Sequence, residues 1–164
     1  MCISRFNLLI VIQLLALPLL AQISSKGIPF VKNYPPSDYN AKNDNWAAIQ
    51  DSRGLMYFGN KSGILEFDGH NWRNIAPGVA LLTMVQDKNG VIFGGGMDDA
   101  GYIDYQPDGS TKFISIIDRK NNKDTFYGSF HYIVIKNDTV FFFSHRGYIL
   151  KWHNNKIQQL YLPN

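Results

Sequence analysis

Four histidines, His70, His131, His145 and His153, are the side chains best able to hold a metal or move a proton near neutral pH. His145 and His153 flank an apolar run at a spacing that fits no compact zinc motif, and no cysteine stands near to complete one. They read as turn and surface residues. Asp98, Asp99 and Asp104 in "MDDAGYID" are hard oxygen donors, yet the alternate-position pattern of a calcium loop is not met. Adjacent aspartates in an insertion between strands read instead as a solvated turn. Gly94–Gly96 lacks the Gly-Lys-Ser/Thr that completes a phosphate loop, and reads as a strand end where a bulge or close packing is needed. Ser144 and His145 are neighbours on a strand, so their side chains face opposite sides and do not form a nucleophile–base pair. Glu66 and Asp104 are the one carboxylate pair that glycoside chemistry could use. They stand on equivalent strands of a repeat, and repetition explains them more simply. No catalytic, cofactor-binding or metal-binding residue is assigned, no cofactor is expected, and the chain reads as a non-enzyme.

Binding chemistry has better material. Trp46, Trp72 and Trp152 offer flat rings on which a sugar could stack, although aromatics at recurring strand positions serve mainly the core. Met97–Ala100 and the long connection Ile117–Tyr127 are the segments expected to touch a ligand, because recognition sits on long loops held by a rigid scaffold. Asn60-Lys61-Ser62 and Asn137-Asp138-Thr139 match the glycosylation pattern, which arises often by chance.

The elements that must position these residues repeat. "QDSRGLMYFGNKSGILEFDGHNW", residues 50–72, is followed by "QDKNGVIFGGGMDDAGYIDYQPDG", residues 86–109. Asp51 and Gly54 match Asp87 and Gly90 at an offset of 36; Gly63 then matches Gly101 at 38, and Phe67 matches Tyr105. A weaker third copy runs from Val134 to Leu160, with Asn137-Asp138, Gly147 and Asn154-Asn155 at its turns. The short runs "LMYF", "VIFG" and "VFFF" read as buried strands. "ILEFD", "YIDYQ" and "YILKW" alternate, with Ile64, Glu66 and Asp68 on one side and Leu65 and Phe67 on the other. Asn89-Gly90 is a hairpin signal, since both residues tolerate positive φ. Four short antiparallel strands at a period near 40 describe a β-propeller blade, whose two apolar faces are shielded only by neighbouring blades. The expectation is all-β: an incomplete β-propeller of about three four-stranded antiparallel blades, preceded by a signal-peptide helix. The repeats span about 46–81, 82–127 and 128–164, behind an extended segment over 22–45.

Composition agrees with an exported β protein. Of 164 residues, 45% are hydrophobic and 14% aromatic, the latter favouring strands. "MCISR", the apolar run "FNLLIVIQLLALPLL" and "AQ" have the layout of a signal peptide over 1–21, cleaved after Ala21. The run is short for a membrane span, which needs about 20 residues; an uncleaved N-terminal anchor is the rival. Cys2, the single cysteine, leaves with the signal, so the mature chain has no thiol chemistry. Loss of Arg5 leaves a near-balanced charge with no basic block, which gives nucleic-acid binding no support. These features place the chain in a bacterial periplasm.

Gly27 to Ile75 resembles the opening of the two-component regulator propeller family. The shared residues are Gly27-Ile28-Pro29-Phe30, Tyr34 with its prolines, Tyr39, Asn45-Trp46, Gln50-Asp51, Gly54 and Met56-Tyr57-Phe58-Gly59-Asn60. Gly63, Phe67-Asp68-Gly69 and Trp72 continue the match, which weakens after Gly109. The resemblance implies a periplasmic sensor propeller, followed by a small β-sandwich module, a transmembrane helix and a histidine kinase or DNA-binding output. Many members sense glycan fragments. On this reading the chain is the N-terminal fragment of such a sensor. Its partners are an extracellular ligand, oligosaccharides among the candidates, together with downstream blades and membrane-spanning output modules. A secreted carbohydrate-binding or carbohydrate-active propeller fragment, or a truncated gene remnant, are the alternatives.

Overall fold

The computed structural model describes residue 27 and residues 31–162; the expected signal peptide, residues 1–21, lies outside them. The chain divides into two units, Met1–Asn33 and Tyr34–Asn164, and the second holds every described strand. Among the described residues no helix is long and apolar enough to cross a membrane. The segment ahead of the strands is not extended throughout. Pro35 and Pro36 pre-set the φ of a single helical turn, α1 (Pro36–Tyr39), which Asn40 ends in the left-handed region at φ 47°.

Twelve strands follow in three antiparallel meanders, each a four-stranded sheet. The first contains β1 (Asn45–Gln50), β2 (Met56–Asn60), β3 (Gly63–Phe67) and β4 (Trp72–Asn74). The second contains β5 (Leu81–Gln86), β6 (Ile92–Gly96), β7 (Ala100–Tyr105) and β8 (Thr111–Ser115). The third contains β9 (Phe130–Lys136), β10 (Thr139–Ser144), β11 (Tyr148–His153) and β12 (Lys156–Tyr161). β1 packs on β5 and β5 on β9, so the first strand of each sheet lies innermost. Three consecutive blades of a β-propeller result, as the repeat required.

Two apolar layers join the blades. Tyr57 and Ile64 of the first sheet meet Leu81, Ile92 and Ile103 of the second. Phe93 and Ala100 of the second meet Phe130, Val140, Phe142 and Leu150 of the third. Residues two apart share a face. Each sheet therefore has a forward face toward the next blade and a rear face toward the previous one. Gly59 shows how closely they approach: a Cβ there would stand 2.7 Å from the Leu81 carbonyl oxygen. At Gly95 a Cβ would stand 3.0 Å from Phe130 Cβ. The glycine run is thus a seat for the neighbouring blade.

The register corrects the alignment of the repeats. Tyr57 pairs with Glu66 and Gly59 with Ile64, while Phe93 pairs with Tyr102 and Gly95 with Ala100. The offset therefore stays at 36 through the second hairpin, and Gly63 does not correspond to Gly101. Extra residues enter only after β7. Each innermost strand also carries one bulge, leaving Trp46, Leu82 and His131 unpaired. The alternation expected in "ILEFD" holds in direction, but both faces are buried: Gly63, Ile64, Leu65 and Glu66 are all inside.

Candidate functional site

The turns explain which residues recur. Asp51 Oδ1 accepts the N–H groups of Arg53 and Leu55 at 2.9 and 3.0 Å, and Gln50 Nε2 donates to the Gly54 carbonyl at 3.1 Å. In the second blade Asp87 Oδ1 accepts from Asn89 and Val91 at 2.9 and 2.8 Å, and Gln86 Nε2 donates to the Gly90 carbonyl at 3.1 Å. Gln-Asp followed by glycine is thus a side-chain-capped turn. Only Gly90 has positive φ there, at 87°; Asn89 does not, against the expectation. The third blade reaches the same reversal by another route. Asn137 and Asp138 both take left-handed φ, 47° and 59°, closing a two-residue hairpin. Asn154 and Asn155 do the same between β11 and β12.

The turns of the second and third blades surround a groove of about 820 Å³ at the seam between those blades. Its floor is apolar: Val91, Phe93 and Tyr102 from one blade, Ile135, Val140 and Trp152 from the other. Tyr102 and Trp152 meet across the seam with ring centroids 6.0 Å apart and planes tilted by 33°. The rim is polar, formed by Asp87, Lys88 and Asn89 on one side and by Asn137, Asp138, Asn154 and Asn155 on the other. Lys88 Nζ reaches Asp138 Oδ1 at 2.8 Å and bridges the mouth. This contact holds the Asp138 carboxyl below its ordinary range and raises the Lys88 ammonium. His153 Nδ1 lies 3.2 Å from both Thr139 Oγ1 and the Asp138 carbonyl, tying one rim turn to the end of β11. Aromatic floor, amide-rich rim and weak net charge suit a neutral, hydroxyl-rich molecule with one apolar face.

The sequence placed ligand contact elsewhere. Met97–Ala100 and Ile117–Tyr127 do come together, at the opposite end of β6 from the groove. Asp98, Asp99 and Arg119 spend their polar groups on partners within the protein. Asp98 Oδ1 accepts from the Tyr127 N–H at 2.7 Å, Arg119 pairs with Asp98 Oδ2 at 3.0 Å, and Arg119 also donates to the Asp98 carbonyl. Asp99 accepts from Ser115 Oγ at 2.6 Å and the Ala100 N–H at 2.8 Å, and burial pushes its carboxyl upward. The solvated-turn reading of Asp98 and Asp99 is therefore corrected: Asp98 pins the long connection, and Asp99 pins the end of β8.

Glu66 is buried in the interblade seam, held by Arg73 Nε at 2.9 Å and by the Thr111 hydroxyl. The register makes Tyr102 its counterpart. Asp104 lies two positions further on, accepting from Gln106 Nε2 at 2.7 Å. The two carboxylates are not an equivalent pair. Nearby, Arg53 Nη2 donates to the Tyr57 hydroxyl at 3.0 Å and its guanidinium lies 3.9 Å above the Tyr105 ring. Burial foremost, then the carboxylates around it, pushes the Tyr57 hydroxyl far above the ordinary phenol range.

The histidines are exposed. His145 Nδ1 accepts from the Ser129 N–H at 2.9 Å, while Ser144 Oγ donates to the Tyr127 carbonyl, so the two neighbours serve separate partners. His131 and His145 have ring centroids 6.2 Å apart. Among the described residues no group of three or more ligating side chains is assembled. Asn60 of the first glycosylation pattern is fully buried, donating to the Lys42 carbonyl at 2.6 Å; Asn137 of the second is exposed on its turn. Trp72 lies in a ring cluster with Tyr34, Tyr39, Phe58 and Phe67, whereas Trp46 is exposed on its bulge.

No known family's sequence profile matches the chain, and no curated protein matches it. Among solved structures it is similar to the WD40 β-propeller domain of Doa1, at 14% identity and a TM-score of 0.49, over 74% of this chain. The chain spans 42% of the length of that structure.

Proposed function

We propose that this chain is a ligand-binding, non-catalytic part of an exported sensor β-propeller of the two-component regulator kind. It takes a neutral oligosaccharide in the groove between its second and third blades. The observation that carries this reading is the groove itself: the Tyr102 and Trp152 rings on its floor and four rim amides, Asn89, Asn137, Asn154 and Asn155. Sugars present C–H faces to aromatic rings and hydroxyls to amides, and need no charge partner. Further support is the resemblance of residues 27–75 to the opening of sensor propellers. The groove lies on a seam, so a ligand that fits one angle between the two blades better than another biases that angle. Differential affinity of this kind is what a sensor transmits. The exposed Lys88–Asp138 pair across the mouth must open or rotate on entry.

Calorimetric titration of the full chain with a panel of neutral oligosaccharides tests the reading. Binding should weaken tenfold or more in Trp152→Ala, and hardly change in Trp46→Ala, whose ring lies away from the groove. Equal loss in both variants, or no binding across the panel, overturns it. The same groove suits a secreted carbohydrate-binding propeller without signalling; a membrane helix and kinase in the protein's downstream coding sequence separate the two.

A further inference from the structure

The two interblade seams have the same frame and different fillings. With the offset of 36 held through the second hairpin, Arg53 corresponds to Asn89, Tyr57 to Phe93 and Glu66 to Tyr102. Ile103 and Trp152 are turned back from the following blade into each seam, and two positions beyond them stand Tyr105 and Asn154. At the rim of the first seam the chain fills the space itself. The Arg53 guanidinium lies 3.9 Å above the Tyr105 ring, and its Nε and Nη2 reach one carboxylate oxygen, Asp51 Oδ2, at 2.9 and 2.8 Å. Nη2 also donates to the Tyr57 hydroxyl at 3.0 Å. In the second seam two short amides, Asn89 and Asn154, take the places of the long arginine and the tyrosine ring, and both line the groove. The turn beside it is capped alike: Asp87 Oδ1 holds two N–H groups just as Asp51 Oδ1 does. Asp87 also lines the groove. Its Oδ2, the oxygen corresponding to the arginine's acceptor, has one contact among the described residues, the Asn89 side-chain amide at 3.4 Å.

We infer that Asp87 is the polar anchor of the groove: its Oδ2 accepts a pair of neighbouring hydroxyls from one edge of the bound sugar, where the first seam seats its own Arg53. This rests on the reading of the groove as an oligosaccharide site. The first seam supplies the pattern, in which one carboxylate oxygen takes two donors from a group whose flat face lies on a ring. A vicinal diol of a pyranose offers the same, two O–H donors on an edge beside a C–H face for the Tyr102 and Trp152 rings. A hydroxyl bond to a carboxylate is charge-assisted and needs no charge on the ligand. The residues that differ between the seams speak against a guanidinium in the second. Phe93 has no hydroxyl to accept the N–H that Tyr57 accepts, so a guanidinium there would leave a donor unpaired. Hydroxyls both donate and accept, and the Asn89 and Asn154 amides donate to them. Asn89 sets access, because an arginine at its position closes the site from within.

Two variants of the full chain test the anchor. Asp87→Asn keeps a side-chain oxygen to cap the turn and puts an amide NH2 in place of the second acceptor. Its melting temperature should stay near that of the native chain. Its calorimetric affinity for the neutral oligosaccharide that the native chain binds most tightly should fall about tenfold or more. The same sugar with its hydroxyls O-methylated should not bind, since it keeps its C–H faces and has no O–H donors. Asn89→Arg should abolish sugar binding by filling the site, and its seating is read without ligand. Acrylamide quenching of the half-buried Trp152, taken as the part of the signal that Trp152→Phe removes, should largely disappear in Asn89→Arg and return when Asp87→Asn is added. Unchanged sugar affinity in Asp87→Asn overturns the anchor and leaves the sensor reading standing. Tighter binding of argininamide than of any sugar overturns the hydroxyl pair in favour of a cation. Quenching of Trp152 that Asn89→Arg leaves unaltered overturns the correspondence of the two seams. A panel in which no sugar binds the native chain overturns the sensor reading, and the hydroxyl pair with it.

Discussion

Asp51 and Asp87 hold the same place in two blades and cap the same turn, yet they do unequal work. Asp87 serves its turn alone, through Asn89 and Val91. Asp51 is buried, and its second oxygen also accepts from Arg53 Nε at 2.9 Å and from the Tyr57 and Tyr105 hydroxyls at 3.4 Å each. Asp87→Ala should cost about 1 kcal/mol, the worth of a capped turn, and Asp51→Ala about 2–4 kcal/mol, because buried hydroxyls and a guanidinium lose their acceptor. Urea denaturation of both variants measures the difference; equal losses would mean the buried network contributes nothing. The turn role of these aspartates was legible in the sequence, since Gln-Asp and glycine recur at a fixed offset. The network was not. Its partners Arg53, Tyr57, Tyr105 and Asp51 come from two blades, and no local spacing encodes which rings meet across a seam. Glu66 was hidden for the same reason: a carboxylate in an alternating strand looks solvated until its cover, Arg73 and Thr111, is in place.

At the scale of strands and hairpins the glycines separate packing from backbone freedom. A Cβ at Gly59 would strike the Leu81 carbonyl oxygen at 2.7 Å, whereas one at Gly69 would meet nothing within 4 Å, although its φ is 97°. Gly59→Ala should therefore force the first two blades apart and cost about 1–3 kcal/mol. Gly69→Ala should cost about 1 kcal/mol, from backbone strain alone. Hydrogen exchange tells the two apart: Gly59→Ala should speed exchange across β2 and β5, and Gly69→Ala only around residues 68–71. Strand identity was readable from short apolar runs bounded by turn residues. Register was not, because the extra residues enter only after β7, and no spacing of glycines in the sequence places them there rather than at residues 97–99. The groove escaped for a related reason. Its rim comes from three short turns, and sequence reasoning favours long loops. The recurrence of Asn137, Asp138, Asn154 and Asn155 at the hairpin tips of one blade was the available signal.

For the molecule as a whole, charge sets the response to acid. Hydrogen bonds from Asn71 and His70 lower Asp68 to about 2, and turn or ion-pair contacts also depress Asp108, Asp118 and Asp138. A carboxyl whose folded pKa is depressed takes up its proton first in the unfolded chain, so its stabilisation is present above the unfolded value and is lost as pH falls. Asp99 opposes this. Its folded pKa is raised, so its contribution is present below the unfolded value and fades as pH rises. Four groups against one give a net loss between about pH 4 and pH 2, the window set by ordinary aspartate and the Asp68 value. Denaturant midpoints across that range should fall, and Asp68→Asn should flatten the lower part of the slope. A midpoint that rises on acidification would show Asp99 to dominate.

Every innermost strand has its single irregularity one residue from its start, at Trp46, Leu82 or His131, while the rim reversal that follows differs in length and chemistry in the third blade from that shared by the first two. Alignment near the axis is fixed independently of what happens at the periphery. Insertions and deletions at the hairpin tips thus leave the hub untouched, and such a scaffold can diversify what it recognises by cheap changes at its margin while inheriting an unaltered centre.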